Sequence, residues 1–317
     1  MRERLRAFLF PADPGHWLGL LRVGLGFQVI LYSWSLRRDW SFIFQSDQKG
    51  PVIRTLTEAI VSSQTEWTPR LGWIVEIAER LGGTERAVLS VIWFSLIMAG
   101  CLLLLGLFCR PAAIITWFFY ICSAKSGGLF AYGVDNFATI GLFYLMIAPF
   151  PDKWSLDWKL GRKRAVDPER LGLHRRILQL HLCLIYFFAG SSKSLGLDWW
   201  NGNSVWRALT RPPFDLVPAE VLIRFGYLLP VVGILVCLLE TGYPVFIWLK
   251  QTRPFWLAGI LLMHLSIGLS MGLYLFALIM IVLNVAAFGS DLFSAHTALS
   301  GRRWLDPWHI VGTRETR

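Results

Sequence analysis

Long uninterrupted apolar runs dominate the chain, in place of the strict alternation of a half-buried strand or the single stripe of a surface helix. Residues 88–108, 137–150 and 255–290 pass with almost no charge. A helix rises about 1.5 Å per residue and the hydrocarbon core of a bilayer is about 30 Å thick, so roughly 20 apolar residues cross it. With Pro, Gly and charge as punctuation, eight helices are predicted at about 17–36, 87–108, 111–130, 132–150, 176–195, 222–249, 254–271 and 273–290. The expected fold is all-α: one integral membrane domain over 1–317, a polytopic bundle of about eight transmembrane helices.

One segment breaks the pattern. Residues 37–86 are too polar to span, with seven cations matched by seven carboxylates. Within them Leu71, Trp73, Ile74, Ile77, Ala78 and Leu81 recur at helical spacing, with Glu76, Glu79 and Arg80 opposite. That pattern predicts an amphipathic helix. Lying flat on the outer surface and capping the bundle fit it equally well.

Composition agrees with a membrane protein. The chain is 55% hydrophobic and 16% charged, with mean hydropathy +0.50, against about a quarter charged in soluble domains. Many of the sixteen tryptophans lie near the ends of the apolar runs, as in interfacial belts. The net charge of +10 is a matter of topology, not of nucleic-acid binding. Residues 151–176 alone hold Lys153, Lys159, Arg162, Lys163, Arg164, Arg170, Arg175 and Arg176, and basic short loops face the cytoplasm. Eight spans then put both termini and the Lys250/Arg253 turn on that side, with 18 of the 31 cations. The N-terminus lacks a cleavage site, so its first apolar run reads as a retained span. Cys101, Cys109, Cys122, Cys183 and Cys237 form no C-x-x-C, which leaves a disulfide framework, a zinc site and a dithiol pair unsupported. Ser-His-Asp, phosphate-loop and His-x-x-x-His patterns are also missing, and His174 and His296 fall in flanking loops.

The candidate chemistry lies in polar residues within the apolar runs, since an ionisable group in hydrocarbon costs at least about 2.5–3.5 kcal/mol. Depth counted along each span sorts them into two layers. Arg22, His181, Glu240, His264 and Asn284 form an inner layer, in which Glu240 is expected to pair with Arg22 or His264. A packing role for that pair outweighs a proton relay. Near the outer end are Lys125, Asp135, Asn136 and Lys193, with Asp198-Trp199-Trp200 beyond. Lys193 closes its span after Ala189-Gly190-Ser191-Ser192. A desolvated lysine can act as a base, while a snorkelling interfacial lysine is the plainer reading.

Several motifs carry a family resemblance. Phe10-Pro11-Ala12-Asp13-Pro14 followed by Leu20-Leu21-Arg22-Val23-Gly24-Leu25-Gly26 resembles the start of bacterial HTTM (horizontally transferred transmembrane) proteins. So do Tyr132-Gly133-Val134-Asp135-Asn136, Trp154-Ser155-Leu156-Asp157, the run QLHLCLIYFFAGSSKSLGLDWWNGNSVW from Gln179 through Trp206, and the stretch from Met263-His264 through Asn284. The resemblance covers nearly the whole chain. It implies kinship with the vitamin K-dependent gamma-carboxylase, which oxidises a reduced naphthoquinone with O₂ and uses the resulting base on peptide glutamates. Lys193 looks similar to that enzyme's base, and His264 falls where it has a histidine. Its second catalytic histidine would fall near Asp135-Asn136, where none stands, and this chain ends about 27 residues after its last predicted span. Peptide gamma-carboxylation is therefore not expected.

The resemblance implies a protein of a bacterial cytoplasmic membrane, and the leading expectation is a carboxylase-like enzyme, an oxidoreductase or lyase. Lys193 would be the base, and Asp135, Asn136, Gly190, Asp198, Trp199, Trp200 and Gly202 would shape a pocket for a quinol or another lipid-borne substrate; no metal is called for. The alternative is a non-enzymatic partner that helps mature or export a small peptide. A transporter is a weaker third, since no inverted repeat is visible.

Overall fold

The computed structural model describes residues 2–46, 53–162 and 166–290, and every regular element among them is helical. After α1 (Arg2–Leu9) come α2 (His16–Ser35), α3 (Trp40–Phe44), α4 (Ile53–Gln64), α5 (Leu71–Arg80), α6 (Glu85–Leu105), α7 (Cys109–Ser126) and α8 (Gly133–Ile147). The chain continues through α9 (Leu156–Lys159), α10 (Pro168–Ser194), α11 (Leu197–Trp200), α12 (Asn203–Thr210), α13 (Ala219–Arg224), α14 (Leu229–Phe246), α15 (Arg253–Met271) and α16 (Tyr274–Asn284). Four helical stretches are long and apolar enough to cross a membrane: His16–Ser35, Glu85–Leu105, Gly226–Phe246 and Arg253–Met271. Gly133–Ile147 and Tyr274–Gly289 are shorter apolar helices. The molecule is a polytopic membrane helix bundle.

Local chemistry sets the boundaries. Thr84 accepts a hydrogen bond from the Ala87 amide at the start of α6, and Gly106, at φ +74°, ends that helix in the left-handed region. Asp167 caps α10 through the Glu169 amide with Pro168 in the first turn, a position where proline loses no helical bond. α10 thus begins eight residues before the predicted 176, since its first turns are held on the bundle by Arg175, which is buried and paired with Asp13 at 2.8 Å. The predicted 222–249 helix divides instead into α13, a tight turn over Gly226–Leu228, and α14. Lys163, Arg164, His296 and the basic end 302–317 lie outside the described residues.

The same order of connections occurs twice. A long helix, α2 or α10, leads into a long connection bearing short helices, then into three helices joined by short links. In each half the first two long helices meet closely at small residues, the arrangement that lets membrane helices approach. A Cβ on Gly26 would lie 2.7 Å from the Leu104 amide of α6, and one on Gly190 would lie 2.4 Å from the Thr241 amide of α14.

The 37–86 segment caps the bundle on α6 and α7. Leu71, Gly72 and Val75 of α5 are buried, whereas Ile77 and Leu81, expected on the same face as Leu71, are exposed. The cap is held by polar contacts. Glu58 accepts from Ser126 Oγ at 2.6 Å and from the Gly72 amide at 3.0 Å. Arg54 donates to the Phe44 carbonyl at 2.7 Å and pairs with Glu85, which also accepts from Ser46 Oγ at 2.7 Å. This end, where α6 and α14 begin, is the cap end. The opposite end carries the basic 151–176 connection.

Candidate functional site: a lysine–glutamate pair between two helices

Glu240 pairs with Lys193, at 2.5 Å between Nζ and Oε2, and not with Arg22 or His264 as expected. The reason is where the helices end. α10 stops at Ser194, and α11 and α12 continue beside the first turns of α14. There a Cβ on Gly233 would lie 2.0 Å from the Trp199 carbonyl oxygen, and one on Gly202 would lie 2.6 Å from Pro230 N. Lys193 therefore meets α14 eleven residues past Leu229, roughly 16 Å along the helix. The two predicted layers merge at this pair.

The pair is shielded unequally, with the lysine side chain 23% exposed and the glutamate 8%. Lys193 Nζ also lies 5.5 Å from the centre of the Trp199 ring, within cation–π range. The tight Gly190 contact brings α10 and α14 close enough for a direct bond. Trp200 Nε1 donates to the Ser194 carbonyl at 2.8 Å, closing the turn after α10, and Asp198 pairs with Arg207 of α12. Gly190, Trp199, Trp200, Gly202 and Asp198 thus build or brace the surroundings of Lys193.

Beside the pair runs a hydrogen-bonded chain of four side chains. Asn284 Nδ2 donates to the Met280 carbonyl at 2.8 Å, which fixes the amide orientation. Its Oδ1 accepts from Tyr243 OH at 2.7 Å, and Nδ2 donates also to Tyr186 OH at 2.8 Å. The Tyr186 proton is then free for His264 Nε2, 2.8 Å away. The remaining ring hydrogen of a neutral His264 sits on Nδ1, a buried atom with no partner among the described residues. Tyr186 and Tyr243 lie on α10 and α14, the helices that carry Lys193 and Glu240. Tyr186 and Tyr243 escaped sequence reasoning because tyrosine in an apolar run looks like aromatic packing; the signal was a hydroxyl that burial obliges to find a partner.

Other predicted residues lie elsewhere. Arg22 is fully buried at the basic end, paired with Asp152 at 2.6 Å and donating to the Leu103 carbonyl at 2.5 Å. His181 meets Tyr144 OH at 2.8 Å. Asp135 accepts from the Tyr132 amide at 3.0 Å as part of the cap of α8. It lines a cavity of about 130 Å³ with Tyr32, Phe44 and Ser123 that includes neither Lys193 nor Glu240. Asn136 is exposed. Asp157, in the 151–176 connection, accepts from the Cys109 amide at 2.9 Å and from Arg162 at 2.9 Å. Burial opposes its charge, but bonds from the Cys109 and Phe108 amides and Arg162 outweigh that and hold the carboxyl below its ordinary value. Among the described residues no group of three or more His, Cys, Asp or Glu is placed to hold a metal.

The family model described as HTTM domain matches residues 61–291, nearly three quarters of the chain. No match is found among the curated proteins or among the solved structures.

Proposed function

The chain belongs to the HTTM domain family, and from that premise we propose that it is a membrane enzyme whose base is Lys193, acting on a substrate that arrives through the lipid. The observation that carries the reading is the Lys193–Glu240 pair itself. It lies about three turns along α14 from the cap end, with the glutamate side chain 8% exposed and the lysine 23%. Lys193 Nζ donates to Glu240 across 2.5 Å; moving that proton to the carboxylate would give a neutral pair, in which the amine would have to turn its lone pair from the Glu240 O–H to the substrate in order to act as a base. A substrate O–H against that lone pair would give up its proton to Lys193 Nζ. Trp199 and Trp200 would form an aromatic wall, and the unpartnered His264 Nδ1–H would donate to a substrate oxygen. The resemblance to the vitamin K-dependent gamma-carboxylase family makes a quinol the substrate class of choice.

Asp135 and Asn136 are not assigned to the Lys193 pocket, because Asp135 belongs to the cap of α8 and to a separate cavity. Residence in a bacterial cytoplasmic membrane, with about eight crossings and both termini inside, is supported by the basic 151–176 connection. Native mass spectrometry of the purified protein tests the reading. A co-purifying lipid-soluble quinone is expected. A co-purifying peptide in its place would overturn the enzyme reading in favour of a non-enzymatic maturation or export partner.

A further inference from the structure

The cap carries a feature that the lysine site does not use. Between α4 and α5 a groove of about 650 Å³ is lined by Ser62, Ser63, Glu66, Trp67, Arg70 and Trp73. Among the described residues Arg70 forms no ion pair, and its Nη1 is buried without a hydrogen-bond partner. The guanidinium carbon lies 5.2 Å from the Trp73 ring centre, so the side chain is positioned although no acceptor meets it. Glu66 is exposed and has no cationic partner among the described residues. Trp67 is 88% exposed, an unusual state for the largest apolar side chain unless something covers it.

The rest of the cap indicates what covers it. The buried side of α4 is Ile53, Arg54 and Thr57, while Leu56 and Ile60, one turn apart, are exposed on another face. On α5 the buried side is Leu71, Gly72 and Val75, while Ile77 and Leu81 are exposed. Both helices therefore show apolar residues on the face turned away from the bundle. Helices with two apolar faces at the end of a membrane bundle suit the headgroup–acyl boundary, where Trp is also favoured.

We propose that this groove binds the headgroup of a zwitterionic phospholipid, with the phosphate on Arg70, the ammonium on Glu66 and the Trp67 and Trp73 faces around it. A guanidinium with no carboxylate partner of its own among the described residues suits a phosphate oxygen. An aromatic pair beside a carboxylate suits an ammonium. A purely anionic lipid would set its net negative charge against Glu66. A free phosphate would leave both Trp67 and the exposed apolar residues uncovered.

The test uses the full-length protein in nanodiscs containing equal amounts of phosphatidylethanolamine and phosphatidylglycerol, with retained lipid counted by native mass spectrometry. Wild type is expected to retain phosphatidylethanolamine preferentially. Arg70→Gln is expected to lower that retention about tenfold, the loss of one charged hydrogen bond. Glu66→Gln is expected to keep a lipid but lose the preference between headgroups. Trp67→Ala, at a position that packs on nothing in the bundle, gives a second variant expected to fold normally and retain less. Equal retention of both headgroups by wild type, or unchanged retention in folded Arg70→Gln, would overturn the proposal. Displacement of the lipid by excess inorganic phosphate would assign the groove to a soluble anion and overturn it as well.

Discussion

Replacing Gly190 with alanine inserts a methyl group where α10 and α14 touch. The new Cβ would lie 2.4 Å from the Thr241 amide nitrogen and 2.7 Å from the Glu240 carbonyl carbon, where ordinary contact begins near 3.4 Å. Both neighbours are backbone and cannot rotate away, so the helices must part by about 1 Å at this level. Lys193 sits one turn further on, and the same displacement would stretch its 2.5 Å bond to Glu240 beyond hydrogen-bond range. Overpacking of this kind costs about 1–3 kcal/mol, partly offset by up to about 1 kcal/mol from alanine's higher helix propensity. A misplacement of about 1 Å at a reacting group costs about a hundredfold in rate. Thermal unfolding in nanodiscs should therefore fall modestly while turnover of a reduced quinone falls sharply. Wild-type turnover in a folded Gly190→Ala protein would refute the argument that this contact sets the pair's geometry.

Three other perturbations have outcomes worked from the same structure. Arg22→Met leaves Asp152 charged and buried, and should cost about 3–5 kcal/mol in chemical denaturation; the double variant Arg22→Met/Asp152→Leu should recover much of it. A double-mutant cycle on Lys193→Met and Glu240→Gln should give a coupling of about 0.5–3 kcal/mol, and additive single effects would show that the two residues are not paired in the membrane. Asp157 is held below its ordinary 3.8, so its contribution is full above about that pH and is lost as pH falls through the lower folded value. Asp157→Asn should accordingly flatten the fall of stability below about pH 4, as followed by unfolding midpoint against pH.

The apolar runs were sufficient to locate the long helices because no water-exposed face had to be encoded in them, so length and hydropathy carried the signal. The cap helix at 71–81 was legible for the opposite reason, its charge alternating with apolar residues at helical spacing. Which of its faces would be buried was not, since Ile77 and Leu81 look no different in sequence from Leu71 and Val75. The Lys193–Glu240 pair was hidden by an arithmetic of depth that assumed each span to end at the membrane surface. α10 begins early, and α11 and α12 run back beside α14, which brings Lys193 down to the level of Glu240. Arg22 was recognised as needing a counter-charge, but Asp152 sits 130 residues away in a segment that hydropathy assigns to a loop. The Tyr186–Asn284–Tyr243 chain depended on hydroxyl positions that only the packing of α10, α14 and α16 brings together.

The central claim is that Lys193, held by Glu240, takes a proton from a lipid-borne quinol. The most direct measurement is the rate at which a reduced naphthoquinone is oxidised in air by wild type and by Lys193→Ala, both folded in nanodiscs. Loss of a general base predicts a drop of about 10²–10⁴-fold in the variant. Oxidation by Lys193→Ala at the wild-type rate would contradict the account.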